Sequence, residues 1–198
     1  MKYLIPVLCA VALVVGCTKP VDVDQLEERD DGLSYLPNEE KPFTGVAVKK
    51  RPNGQKRLEV TWKDGKQHGL GTEWYENGQK SEEVTLKDGK PYGPYTRWYK
   101  DGQKSMEGTY KDFKKDGLWN RWYENGQKIS EITYKDGKWL TATVWKPNGE
   151  KCPDTNLVNG TGVKRSYHEN GQKRGEATYK DGKYISEKRW DEDGNQTE

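Results

Sequence analysis

The feature that most constrains the fold is a turn-forming pair, Asn-Gly or Asp-Gly, that returns about every 24 residues. A second series of pairs follows the first by 11 residues. Two-residue type I′ hairpin turns need positive φ at both central residues, which these pairs adopt readily. The spacing therefore predicts consecutive tight hairpins. The first series is Asn53-Gly54, Asn77-Gly78, Asp101-Gly102, Asn125-Gly126, Asn148-Gly149, Asn170-Gly171 and Asp193-Gly194; the second is Asp64-Gly65, Asp88-Gly89, Asp112-Phe113, Asp136-Gly137, Asn159-Gly160 and Asp181-Gly182.

Residues between the turns alternate in polarity, as half-buried strands do. In Glu59-Val60-Thr61-Trp62 the Glu and Thr share one face, and the Val and Trp share the other. We predict an all-β fold, an elongated antiparallel meander of about 13 short strands from Phe43 to about Trp190. Lys–Glu pairs such as Lys56 and Glu59 are expected to form ladders on the solvent face.

Two places depart from the pattern. Phe113 stands where a turn glycine is expected, and a bulky side chain disfavours positive φ. We therefore predict a lengthened or bulged turn from Asp112 to Gly117. The unit from Pro147 to Tyr167 is degenerate, and we predict the weakest strand pairing there.

The composition argues against a large core with a deep catalytic pocket. Charged residues make up 33% of the chain and hydrophobic residues 31%, while 8 Trp and 12 Tyr offer large aromatic surfaces for packing. The 34 basic and 32 acidic residues leave no basic stripe for nucleic acid. His68 and His168 have no partner at metal-ligand spacing. We expect no enzymatic activity, no cofactor, no metal site and no nucleic-acid partner.

The N-terminus is typical of an exported chain. An apolar run is too short to span a bilayer and ends in Leu13-Val14-Val15-Gly16-Cys17, which resembles a bacterial lipobox. The resemblance implies a signal peptide over residues 1–16 and a lipid on Cys17, hence a cell-envelope protein anchored in a membrane. Thr18 implies the outer membrane in a two-membrane organism. An ordinary secretory signal and a buried N-terminal helix remain alternatives. Cys152 is then the one thiol left, so no disulfide is expected.

The segments after the signal divide by composition. Residues 17–41 contain eight acidic side chains and two prolines, and Pro42 follows directly. They are interpreted as the lipidated cysteine and an acidic tether. The alternative is that Gly32 to Leu36 forms a first strand. Residues 42–195 form the repeat array, and residues 196–198 a short tail.

The repeat itself resembles the membrane occupation and recognition nexus (MORN) repeat. The Tyr-Glu-Asn-Gly-Gln-Lys turn is similar to a bacterial variant that occurs in lipoproteins and in YwqK-type antitoxins. The resemblance implies a hairpin array and little about activity. The stretch that carries it is Asp64-Gly65-Lys66-Gln67-His68-Gly69-Leu70-Gly71-Thr72-Glu73-Trp74-Tyr75-Glu76-Asn77-Gly78.

Three classes of function stay open. In the first, the array is a scaffold for a protein partner, and an antitoxin-like or immunity role falls within this class. In the second, it binds envelope glycan or lipid headgroups. In the third, it is a passive spacer. Aromatic residues outside the main stripe would form the ligand or partner face. These residues are Tyr92, Tyr95, Trp119, Trp139 and Tyr184.

Overall fold

A computed structural model describes residues 19–197. The predicted signal peptide and Cys17 lie outside the described residues, as does residue 198. The described part of the chain contains no helix long and apolar enough to cross a bilayer.

The described chain is built from short strands and one 3-10 turn, Val23–Gln25. The strands are β1 Val21–Asp22, β2 Glu27–Glu28, β3 Ser34–Tyr35, β4 Gly45–Lys50, β5 Lys56–Lys63, β6 Lys66–Trp74, β7 Lys80–Lys87, β8 Lys90–Trp98, β9 Lys104–Lys111, β10 Lys114–Trp122, β11 Lys128–Lys135, β12 Lys138–Val144, β13 Gly162–Tyr167, β14 Lys173–Lys180 and β15 Lys183–Arg189.

Successive strands pair antiparallel, which confirms the all-β meander. Strands β4 to β12 form one sheet in sequence order, and β1 adds to its first edge in parallel. Strands β13 to β15 form a second sheet of three strands, and β2 pairs with β3. The array thus has twelve strands, β4 to β15, in two sheets, where the sequence predicted about 13 in one.

The two series of turns differ, and the prediction of type I′ turns is correct for the second series alone. Asp64 and Gly65 have φ of 48° and 75°, and the other pairs of this series match. In the first series the glycine alone is left-handed: Gly78 has φ of 83°, and Asn77 is not at positive φ. The Asn77 side chain instead accepts a hydrogen bond from the Gln79 backbone N–H at 3.1 Å. Side-chain bonding of this kind favours a three-residue loop with a type I turn and a glycine bulge.

Phe113 adopts the conformation that the sequence argued against. The turn is tight, with φ of 48° at Asp112 and 66° at Phe113, and Lys111 pairs directly with Lys114. The predicted lengthened turn is therefore wrong. The Phe113 ring lies 6.2 Å from the Tyr92 ring and 5.3 Å from the Lys90 ammonium. These contacts from the neighbouring hairpin offset a backbone cost of about 1–2 kcal/mol.

The degenerate unit separates the two sheets. Between β12 and β13 the described chain has isolated bridges, Trp145 to Lys151 and Val158 to Thr161, in place of a strand. The prediction of weak pairing is confirmed. The segment is nevertheless packed, because Cys152 and Leu157 are each 2% exposed.

From residue 19 onward the predicted tether is folded against the array. Ser34 and Tyr35 are buried in β3, and the Ser34 backbone N–H donates to the Gly65 carbonyl at 2.9 Å. Val21 pairs with Ala47 along the edge of β4 that faces away from β5. The tether interpretation is therefore wrong for residues 19–41, and the alternative of a strand within Gly32 to Leu36 is confirmed. The physical reason is that the segment covers an edge strand that would otherwise expose unpaired backbone groups.

Candidate functional site

The long sheet has two chemically different faces. The core face carries a central row in which each residue pairs with the next across the strands, except that the Trp119 indole lies over Gly108 where the β9–β10 register is irregular. The row is Val60, Gly71, Val84, Tyr95, Gly108, Trp119, Ile132 and Ala142. Strand alternation places the residues one position away on the opposite side, here called the outer face. The outer face carries the Glu and Thr residues, as the sequence predicted.

On the core face the aromatic rings form a continuous ladder. Neighbouring centroids lie 4.8–6.1 Å apart, within the usual range for aromatic pairs. Burial raises the pKa of the Tyr134 hydroxyl to about 12. The ladder spans both sheets and replaces much of an aliphatic core. Its members are Tyr95, Tyr110, Trp119, Tyr134, Trp139, Tyr179 and Tyr184.

The predicted ligand-face aromatics are therefore not a separate surface. Tyr95, Trp119 and Trp139 are members of the ladder, and Trp119 is 2% exposed. Tyr184 ends the ladder and is 58% exposed, whereas Tyr92 lies apart beside Phe113. The prediction that Tyr95, Trp119 and Trp139 lie outside the main stripe was wrong, because each of them stacks on aromatic rings of neighbouring strands.

The outer face carries the predicted ladder of ion pairs. The Lys56 ammonium lies 2.5 Å from the Glu59 carboxylate, and Lys104 lies 2.8 Å from Glu107. Lys80 with Glu83 and Lys128 with Glu131 repeat the arrangement. Exposed pairs of this kind contribute about 0–1 kcal/mol each, so they do more for solubility than for stability.

The same face has a row of exposed apolar side chains. Leu70, Pro94 and Leu118 occupy the same position of β6, β8 and β10, opposite Thr85, Thr109 and Thr133. Leu70 is 49% exposed and Leu118 is 51% exposed. Alternate strands place these residues roughly 10 Å apart. We call Leu70, Pro94 and Leu118 the apolar row.

At the strand ends that the first-series turns connect, side chains bridge each hairpin to the next. The Tyr75 hydroxyl donates to the Trp98 carbonyl at 2.7 Å, and the Tyr99 hydroxyl donates to the Trp122 carbonyl at 2.6 Å. His168 makes the equivalent contact to the Trp190 carbonyl at 2.9 Å. Sequence reasoning missed this row of hydrogen-bonded bridges, although the recurrence of Trp-Tyr at the repeat period was a signal for it. The bridges fix neighbouring hairpins to one another.

Four segments that each contain one first-series hairpin and end at a second-series turn match one repeat family: residues 67–88, 91–112, 115–136 and 161–181. That family is the MORN repeat variant, to which each of the four segments is similar. The MORN resemblance of the sequence is thereby confirmed. The structure extends the MORN-type hairpin to β4–β5 at one end and to β15 at the other. No curated protein sequence matches the chain.

Proposed function

We propose that the chain is a non-enzymatic, membrane-anchored scaffold whose outer face binds a protein partner. A lipid on Cys17 would tether it in the bacterial cell envelope, in the outer membrane of a two-membrane organism. The observation that carries the proposal is the apolar row, Leu70, Pro94 and Leu118, on a face that otherwise carries polar and charged side chains. Apolar side chains with a polar rim are typical of protein interaction sites.

The shape of the array supports a broad, shallow contact. The same hairpin recurs, so charged and apolar groups repeat at fixed spacing over several strands, as in other repeat scaffolds. An antitoxin-like or immunity role is one form of such a contact, with the toxin as partner.

The competing proposal of an envelope glycan or lipid-headgroup module is less well supported. Sugars stack on exposed aromatic faces, and the aromatic ladder packs its rings against one another. Trp119, at its centre, is 2% exposed.

The double variant Leu70→Glu/Leu118→Glu tests the scaffold. We expect it to lose at least about tenfold in recovery of a protein partner from detergent-solubilised envelope, because two carboxylates would be desolvated in the contact. The measurement is quantitative mass spectrometry after affinity capture by the full-length chain. Both residues are about half exposed, so the fold should be retained, which far-UV circular dichroism checks.

Val158→Glu is the matched control. Val158 is 61% exposed but lies in the segment between the sheets, away from the apolar row. A partner that the wild type and Val158→Glu both recover, and that the double variant loses, supports the proposal. Equal recovery by all three chains would contradict it.

A second variant, Cys17→Ser, tests the anchor. We expect the wild-type chain to incorporate a labelled fatty acid in the bacterium and to fractionate with membranes. Cys17→Ser removes the thiol that would be acylated, so both the label and the membrane association should fall at least about tenfold. Cys152→Ser is the control, because Cys152 is buried. Label that persists in Cys17→Ser would rule out lipidation at this residue.

A further inference from the structure

A cavity of about 320 Å³ lies between the long sheet and the C-terminal sheet. Strands β10 to β12 form one wall, and β13 and β14 with the turn that joins them form the other. The volume is at the lower end of the range for small-molecule sites. The lining residues that matter here are Arg121, Ser130, Lys164, Arg174, Glu169 and Glu192.

Three cations in the cavity have no carboxylate within ion-pair distance in the described part of the chain. They are Arg121, Lys164 and Arg174. Arg165, in the same wall, shows the contrast: its guanidinium pairs with Glu176 at 2.9 Å and with Asp154. Carboxylates therefore balance the charge of Arg165, and the unbalanced positive charge of the cavity comes from the other three cations.

Lys164 is the innermost of these cations. Burial, followed by the nearby Arg121 and Arg174, lowers the pKa of its ammonium to about 8, and Glu187 opposes the shift only in part. The side chain also lies 5.2 Å from the Trp139 ring. An ammonium held near other cations and away from water is unfavourable unless something supplies negative charge.

Ser130 provides an independent observation. It lies opposite Arg121 in the β10–β11 pairing and is 1% exposed. Within residues 19–197 its hydroxyl has no hydrogen-bond partner. A buried hydroxyl without a partner costs about 1–3 kcal/mol. The cavity thus holds a set of unused donors.

We propose that this cavity binds a soluble phosphate monoester, with its phosphate between Lys164, Arg121 and Arg174 and against the wall that contains Ser130. The site is separate from the apolar row and does not depend on the proposed scaffold.

A phosphate monoester fits the site better than a carboxylate. It carries about −1.5 to −2 charge at pH 7 and three acceptor oxygens, which matches three cations and a hydroxyl. Glu169 and Glu192 are exposed at the same cavity, and the Glu192 side chain is 80% exposed. Their position suits hydroxyl groups on the rest of the ligand. A volume of 320 Å³ accommodates a small polyol phosphate.

The test is isothermal titration of the full-length chain, purified in non-ionic detergent, with glycerol 3-phosphate. We expect saturable binding, weaker binding of inorganic phosphate, and no binding of glycerol. Lys164→Met should weaken the affinity for glycerol 3-phosphate at least about tenfold. Arg174→Gln should weaken it about fivefold, because Arg174 is exposed and its charge is partly screened.

Two controls keep the result interpretable. Lys183→Met removes one lysine from β15, outside the cavity lining, and should leave the affinity unchanged. Circular dichroism of each variant separates loss of the site from loss of the fold. The proposal is overturned if glycerol 3-phosphate does not bind, if Lys164→Met binds it as the wild type does, or if the chain binds phosphatidate-containing vesicles alone.

Discussion

Gly108→Val is expected to destabilise the array by about 3 kcal/mol or more, although valine is the residue at the matching position of two other repeats. Those residues are Val60 and Val84. A Cβ on Gly108 would lie 2.2–2.6 Å from three atoms of the Trp119 indole. The indole is 2% exposed and packed between tyrosine rings, so it cannot move aside. Overpacking of this kind typically costs 1–3 kcal/mol, and more where a ring cannot move.

The comparison that decides the cause is a double-mutant cycle. Trp119→Gly alone should cost about 3–5 kcal/mol, because it removes a buried indole. Gly108→Val/Trp119→Gly recreates the pair that Val60 and Gly71 form in the first repeat. We expect the double variant to be at least about 2 kcal/mol more stable than the sum of the single effects predicts. Urea unfolding followed by far-UV circular dichroism measures all four chains.

Gly71→Ala is the matched control for loss of a strand glycine. A Cβ there would meet its nearest neighbour, the Leu86 side chain, at 3.4 Å, which is an ordinary contact. Its free energy of unfolding should stay within about 0.5 kcal/mol of the wild type. Additive effects of Gly108→Val and Trp119→Gly would show that the steric explanation is wrong.

Local chemistry was enough to predict the hairpins. Asp64-Gly65 specifies a type I′ turn, and Lys56 with Glu59 forms its expected ion pair. The first-series turns could not be assigned in the same way. The sequence Asn77-Gly78 is compatible with two loops, and in the longer one that forms, the Gln79 backbone N–H donates to the Asn77 side chain.

Trp139 was harder to place from the sequence because a bulge interrupts the alternation. A register shift of one residue lies between Thr133 and Tyr134, so Ala142 and Trp139 both face the core although they are three positions apart. A shift of one residue changes the face on which the following side chains lie. The face of Trp139 therefore cannot be counted along the strand from Ala142. Tyr95 and Trp119 follow regular counting, because the register shifts in β7–β8 and β9–β10 are of two residues.

The cavity could not be predicted at all. Lys164 and Ser130 come together because the irregular segment between β12 and β13 brings the second sheet against the core face of the first. That segment has no periodic pattern, and its isolated bridges depend on tertiary packing. Lys164 pairs with Ala177 at the position that Gly71, Tyr95 and Trp119 hold in earlier repeats. A single lysine there carried no signal of a partner 34 positions away.

Lys164→Met is expected to stabilise the ligand-free chain by about 2 kcal/mol at pH 7. The buried ammonium has a pKa of about 8, below its ordinary value of 10.5. That difference corresponds to roughly 3 kcal/mol against the folded state, which contact with solvent through the cavity reduces. Methionine fills a similar volume without a charge. The same substitution should therefore raise the stability of the chain and weaken its affinity for glycerol 3-phosphate, which a general loss of structure could not do.

The gain should depend on pH in a defined direction. Below about pH 8 Lys164 is protonated in both states, so the full penalty of burying the charge is present. Between about pH 8 and 10.5 the unfolded chain binds more protons than the folded chain, so the stability of the wild type rises relative to the variant. We expect the advantage of Lys164→Met, measured by urea unfolding, to shrink across that window and nearly vanish above it. Lys183→Met, which removes an exposed charge, should show no such trend. An advantage that stays constant from pH 7 to 10.5 would mean that Lys164 is not a desolvated cation in the folded chain.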